Sequence, residues 1–278
     1  MKPPGKRTLT GAVYGVIMLA VMFSGANLSG ILLSIAVLLS TNELLILHAV
    51  KKQSPAYFTI MSLNLLTYAL VVTTIHGLTP ESLLVLLLPV PWIIGSITLL
   101  TQKENQISTL LVGLVSLVFI AGPFAFLHYF FIFSSIVGLP PFAIPVAFLL
   151  FLWANDTFAF FIGKKWGSTP LLPRVSPKKT VEGTLGGLSC AGLTGIAVWA
   201  VFQKPGLPFW ILLALLTAGS ATLGDLTESA MKRRLGIKDS GHSLPGHGGF
   251  LDRFDSLFMA ATVIVVFLKI IHYFNVPL

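Results

Sequence analysis

Long apolar runs separated by short polar breaks cover the whole chain, and a helix needs about 20 predominantly apolar residues to cross a bilayer. On that ruler the 278 residues predict helices at 9–25, 28–50, 56–75, 81–101, 106–137, 141–163, 183–203, 208–231 and 251–274. The expected fold class is therefore all-α, a polytopic integral membrane protein of about nine transmembrane helices. The fifth segment, QISTLLVGLVSLVFIAGPFAFLHYFFIFSSIVG, is too long for one untilted span and too short for two. Pro123 in its middle predicts a kink, because proline removes a backbone donor and its ring crowds the preceding turn.

Composition supports this class. Hydrophobic residues make up 55% of the chain and charged ones 10%, against about 25% charged in soluble domains, and the mean hydropathy is +0.88. The start, with a basic flank, an apolar run and small residues, also fits a secretory signal cleaved after about Ala26. Spans continuing to the C-terminus favour a retained first helix. Cys190 is the only cysteine, which excludes a disulfide framework and a thiolate metal site within one chain. No lipidation motif stands out.

Charge sets the expected orientation, since Lys and Arg accumulate on the cytoplasmic side. With nine spans, the N-terminus, Lys51 and Lys52, the 101–106 break and the loops at 164–182 and 232–250 fall on one side. Of 18 Lys and Arg, only Lys204 and Lys269 fall on the other. The N-terminus and both long loops are thus expected in the cytoplasm. The net charge of +8 comes from these loops and gives no reason to expect a nucleic-acid partner.

The two halves differ. Through residue 150 the only acids are Glu43, Glu81 and Glu104, whereas residues 156–255 hold Asp156, Glu182, Asp225, Glu228, Asp239, Asp252 and Asp255. Residues 1–140 read as a transmembrane scaffold and 141–278 as the catalytic region. Asp156, Asp225, Asp252 and Asp255 sit near the cytoplasmic ends of spans six, eight and nine, so their carboxylates can share one depth. Charge inside a bilayer is costly, about 2.5–3.5 kcal/mol per residue at the centre on insertion scales. Such a set needs counter-charge, either Lys232, Arg233, Arg234 and Arg253 or a hard divalent cation; Mg²⁺ uses one or two carboxylates with phosphate oxygens and water. Glu43 reads as a lone interfacial residue.

The loop at 164–182 carries Lys164, Lys165, Arg174, Lys178 and Lys179, then Thr180 and Glu182 at a helix start. Basic side chains, a hydroxyl and free helix N–H groups suit a polyphosphate, although the lysines alone would also serve topology or anionic lipid. It is not a P-loop. The second loop contains PGHGG, where Gly246, Gly248 and Gly249 permit positive φ and a nest of N–H groups, and His247 can donate a hydrogen bond or a proton. By itself this is a flexible connector; beside Asp252, Arg253 and Asp255 it reads as a site. His48, His76, His128 and His272 read as interfacial or packed, and the Phe-rich run at 124–132 as lipid or core surface.

The stretch SAMKRRLGIKDSGHSLPGHGGFLDRFD, residues 229–255, resembles the signature of the phosphatidate cytidylyltransferases, also called CDP-diacylglycerol synthases. Ser229, Lys232, Arg233, Lys238, Asp239, Gly241, Leu244, Pro245, His247, Gly248, Gly249, Phe250, Asp252, Arg253, Phe254 and Asp255 fill the pattern without departure. NDTFAFFIGKKWG from Asn155 and SPKKTVEGTLGG from Ser176 look like the same family, so the resemblance covers about residues 150–260.

The resemblance implies transfer of CMP from CTP to phosphatidic acid with release of pyrophosphate and Mg²⁺ as cofactor; the helix-end acids place the expected site at the cytoplasmic face, and short loops in a compact chain suggest a bacterial plasma membrane, among membrane lipids and compatible with a homodimer. Asp225 and Asp252 would hold Mg²⁺, with Asp255 or Asp156 assisting. Ser176, Lys178, Lys179, Thr180 and Glu182 would hold the nucleotide, with the Asn155 region a candidate for the base. Arg233, Lys238, Gly248 and Gly249 would take the phosphatidate. Lys232 and Arg253 would stabilise charge in the transfer, and His247 would donate a hydrogen bond. A CTP-dependent polyprenol kinase is the alternative within the same class. A cation-coupled transporter is the alternative from another, favoured less because the acids lie at helix ends beside phosphate-binding loops. A CDP-alcohol phosphotransferase lacks support, since the DGxxAR motif is missing.

Overall fold

The computed structural model describes residues 4–101, 106–237, 239–241 and 248–276. It is a helical membrane protein, as the apolar runs require. In chain order the helices are α1 (Pro4–Phe23), α2 (Ala26–Leu47), α3 (Pro55–Ile75), α4 (Val90–Thr101), α5 (Gln106–Ser116), α6 (Gly122–Ile136), α7 (Ala143–Trp166), α8 (Val181–Phe202), α9 (Leu207–Arg234) and α10 (Asp255–Tyr273). Among the described residues seven segments are long and apolar enough to cross a membrane: α2, α3, Ser108–Ile136, α7, α8, α9 and α10.

Two of the expected spans took a different local form, each for a proline. Residues 81–101 are not one helix: Glu81–Leu87 is a 3₁₀ turn, and α4 follows with 12 residues. Pro89 and Pro91 lie at the junction, where each lacks the N–H that would continue an α-helical ladder. The long fifth segment is one continuous run, with a π turn at Leu117–Ala121 immediately before Pro123. Gly122 N–H reaches back to Leu117 O, so the extra residue of the wider turn absorbs the bond and the space that the proline ring disturbs.

The chain divides into two compact units, one of residues 1–129 with 239–254, the other of 130–238 with 255–278. In the first, α2 packs on α3, and α3 on α4. Leu33, Val37, Leu45, Ile60, Ile94 and Phe124 form its core. The buried Asn64 donates to Ser116 Oγ at 2.8 Å, and buried His128 pairs with Tyr68 at 2.9 Å and His76 at 3.2 Å. Of the Phe-rich run, Phe124 is core in this unit, and Phe130 and Phe131, which belong to the second, are buried there.

In the second unit α7, α8, α9 and α10 pack side by side through small residues. A Cβ on Gly187 of α8 would lie 2.7 Å from Asn155 O of α7, and one on Gly183 2.7 Å from Ala159 O. On the other side of α8, a Cβ on Gly195 would lie 2.8 Å from Trp210 O of α9. In turn, a Cβ on Gly224 of α9 would lie 2.8 Å from Asp255 O of α10. Inside a bilayer, where apolar surface alone does not drive helices together, this close backbone approach supplies the packing. Between α7 and α8 the expected loop contains a short hairpin, β1 (Pro170–Leu172) antiparallel to β2 (Ser176–Thr180), with Pro170 opposite Thr180 and Leu172 opposite Ser176.

The packing yields a contrast on one helix. Gly224→Ala should destabilise the protein by about 1–3 kcal/mol, the usual cost of forcing atoms into a filled contact. Gly219→Ala, whose Cβ would meet nothing within 4 Å, should be neutral or add up to about 1 kcal/mol of helix propensity. Thermal unfolding of the two variants in detergent checks both signs.

Candidate active site

The expected site residues fall into both units, and each group is described within its own. In the second, three carboxylates from three helices come together. Asp156 projects from α7, Asp225 from α9, and Asp255 opens α10. Asp225 acts electrostatically on both of the others, and Asp156 acts on Asp255. The close helix approaches explain why: Gly187 admits the backbone beside Asp156, and Gly224, the neighbour of Asp225, admits that of Asp255.

Two lysines face this negative charge. Lys179 Nζ forms an ion pair with Asp225 Oδ2 and its charge also reaches Asp156. Its position follows from the hairpin. Alternation along β2 sends Lys178 and Lys179 to opposite faces, leaving Lys178 exposed and Lys179 half-buried. Lys232, buried in the last turn of α9, lies 3.1 Å from Glu228 Oε1, and its charge acts on Asp255.

Neutral groups fix the remaining geometry. Asn155, 2% exposed, donates to Asp156 Oδ1 at 3.2 Å and to Thr222 Oγ1 at 3.3 Å, tying α7 to α9 at the level of the acids. Ser229 Oγ donates to Asp225 Oδ1 at 3.2 Å. Thr180 caps α8 by accepting from Gly183 N–H at 3.1 Å. Glu182 in the first turn accepts from Ser168 Oγ at 2.7 Å and Thr169 N–H at 3.1 Å, closing the base of the hairpin. Ser176 begins β2, and Arg233 donates to Val175 O at 3.3 Å and Ile237 O at 3.1 Å.

In the first unit the end of the signature stretch is organised around Asp252. Both its oxygens accept from Ser240 N–H, at 3.1 and 3.0 Å, and Oδ2 accepts from Gly249 N–H at 2.8 Å. Gly248 has φ +83°, and a Cβ there would lie 2.9 Å from Asp252 Oδ2. Arg253 is half-buried in a 3₁₀ turn, Leu251–Arg253. Lys238 and His247, expected in phosphatidate binding and hydrogen-bond donation, lie outside the described residues.

One residue outside the expected set belongs here. Glu43, read as a lone interfacial acid, is 5% exposed and accepts from Leu251 N–H at 2.6 Å and from Ser240 Oγ at 3.3 Å. The local signal is that Glu43 is the one charged residue of α2. Among the described residues no group of three or more His, Cys, Asp or Glu side chains is gathered so that it could hold a metal ion by itself.

Comparison with known proteins agrees in kind. The model of the cytidylyltransferase family matches residues 5–271. The chain is 32% identical over 275 residues to a phosphatidate cytidylyltransferase of Staphylococcus aureus (strain COL), covering 94% of this chain and 98% of that protein. It is 31% identical over 273 residues to the protein of that name from Staphylococcus haemolyticus (strain JCSC1435), with the same coverage. With that of Brucella abortus biovar 1 (strain 9-941) it shares 42% identity over 136 residues, 48% of this chain and 50% of that protein.

Proposed function

The chain belongs to the cytidylyltransferase family, and on that premise we propose how its residues carry out the synthesis of CDP-diacylglycerol. The enzyme is a nucleotidyltransferase: it joins CTP to phosphatidic acid and releases pyrophosphate. A phosphate oxygen of the lipid attacks the α-phosphorus of CTP, the bond from that phosphorus to the β-bridging oxygen breaks, and pyrophosphate leaves with the electron pair. The attacking phosphate is already anionic at neutral pH, so no general base is demanded. The protein's task is to position two polyanions and offset their charge.

The observation that carries this assignment is the meeting of Asp156, Asp225 and Asp255, with Lys179 paired to Asp225 and Lys232 acting on Asp255. Lys179 and Lys178 hold the triphosphate beside the α8 N-terminus, with Ser176, Thr180 and Glu182 shaping that end of the hairpin. Within the second unit Lys232 and Arg233, with Lys238, take the lipid phosphate and the charge that develops in transfer; within the first, Arg253 and Gly248 are the candidates for the same role. His247 donates a hydrogen bond.

Mg²⁺ fits this donor set. The carboxylate oxygens suit a hard cation, and the cluster already holds a cationic group in Lys179. Mg²⁺ takes only one or two carboxylates besides phosphate and water oxygens, so a ready-made protein cage of three ligands is not required. Within the second unit Asp225 would hold it, with Asp255 or Asp156 assisting, and within the first Asp252 is the candidate ligand; the ion would supply positive charge at the nucleotide phosphates. An arrangement with a cytoplasmic N-terminus would present the acid cluster of the second unit to cytoplasmic CTP and to lipid in the bilayer of a bacterial plasma membrane.

Purified protein given labelled CTP, phosphatidic acid and Mg²⁺ should yield a liponucleotide and pyrophosphate; CDP as the nucleotide product would instead indicate a lipid kinase. Under these conditions Asp225→Asn and Asp252→Asn should each lower turnover by about 100-fold or more in a protein that still extracts folded. Near-parent turnover in either removes that residue from the site. Lys178→Ala and Lys179→Ala should raise the KM for CTP by about tenfold, the loss of one charge-assisted hydrogen bond. The effect should be larger for Lys179, whose removal also strips Asp225 of its partner. A reporter fused to the C-terminus should read as extracytoplasmic; a cytoplasmic signal overturns the orientation.

A further inference from the structure

We propose that Glu43, on α2, is a positioning residue for the transfer reaction: it binds Ser240, which orients Asp252, and Leu251, which precedes it. The inference rests on the assignment of Asp252 to the site. Within the first unit, Glu43 Oε2 accepts from Leu251 N–H at 2.6 Å and from Ser240 Oγ at 3.3 Å. Ser240 in turn gives its backbone N–H to both oxygens of Asp252. One buried carboxylate therefore holds the residue that orients the other. Ser240 and Leu251 lie 197 and 208 positions from Glu43 in the chain.

The glycines of the segment supply a second, independent observation. A Cβ on Gly241 would collide with Glu43 Oε1 and lie 2.7 Å from Glu43 Cδ. A Cβ on Gly249 would lie 2.6 and 2.7 Å from the two Glu43 oxygens and collide with Ser240 Oγ. Glycine at 241 and 249 is thus what lets the carboxylate reach Ser240 and Leu251. The location of Glu43 also argues against a merely tolerated acid. It stands in the last turns of α2, where the helix dipole opposes negative charge, and it is enclosed, where a charge must be answered by donors. The loop provides them.

Glu43→Gln keeps the size and one acceptor oxygen but removes the charge and the second acceptor. Groups that orient metal or substrate ligands typically contribute 10–100-fold to activity. We expect kcat to fall by about that factor with the KM for CTP unchanged. Amide hydrogen exchange in a peptide spanning 239–254 should accelerate, while exchange in α7 to α10 stays at the parent rate. Parent-like kcat or parent-like exchange in 239–254 overturns the proposal. Should Glu43→Gln fail to extract folded, Ser240→Ala carries the same two readouts, and parent-like values there overturn it equally. Asp252→Asn, assayed in parallel, separates the two levels. An active Asp252→Asn removes the premise, whereas an inactive one beside a fully active Glu43→Gln removes only the role of Glu43.

Discussion

Negative charge inside an apolar helical protein has to be answered locally, and the structure is arranged around that need. Asp225 is met by Lys179 and Ser229, Asp252 by the N–H groups of Ser240 and Gly249, and Glu43 by Leu251 and Ser240. The cost of an unpaired ion in low dielectric exceeds that of ordering a loop or a hairpin to reach it. Polar connections that would otherwise be free to vary are thereby drawn onto helix ends.

Glycine is the means by which these groups come close enough. Along α8, Gly183, Gly187 and Gly195 admit the backbones of α7 and α9, and on α9 Gly224 admits the start of α10. Two of these approaches deliver an acid or its neighbour: Gly187 meets Asn155, beside Asp156, and Gly224, beside Asp225, meets Asp255. In the signature segment Gly241 and Gly249 admit a carboxylate instead of a helix. The same absence of a Cβ serves helix packing in one unit and loop anchoring in the other.

A transferase acting on a bilayer-borne phosphate and a water-borne triphosphate must offer cations to both while keeping them from neutralising its acids permanently. In the proposed function Lys179 would serve such exchange: it is only half-buried, which leaves its ion pair with Asp225 open to competition from a nucleotide phosphate. Lys232, buried against Glu228, is held more firmly. Two lysines near one acid cluster can thus differ in role through their exposure.

Much of the architecture was legible in the apolar runs, because the length of a bilayer span is a local property of composition. Helices at 28–50, 56–75, 141–163, 183–203 and 208–231 were expected within a few residues of α2, α3, α7, α8 and α9. The fourth segment was misjudged because hydropathy does not register the missing donors of Pro89 and Pro91. The hairpin went unseen because strands of three and five residues are made by pairing, with little pattern of their own. Scarcity of charge marked Asp156, Asp225 and Asp255 as candidates, yet only packing through glycine brought them to one place. Glu43 shows the limit most plainly: its donors lie some two hundred positions away, and no local pattern encodes so distant a hydrogen bond. Composition and periodicity decide which segments leave water, whereas the tertiary structure decides which buried charges meet, since that depends on how closely backbones approach.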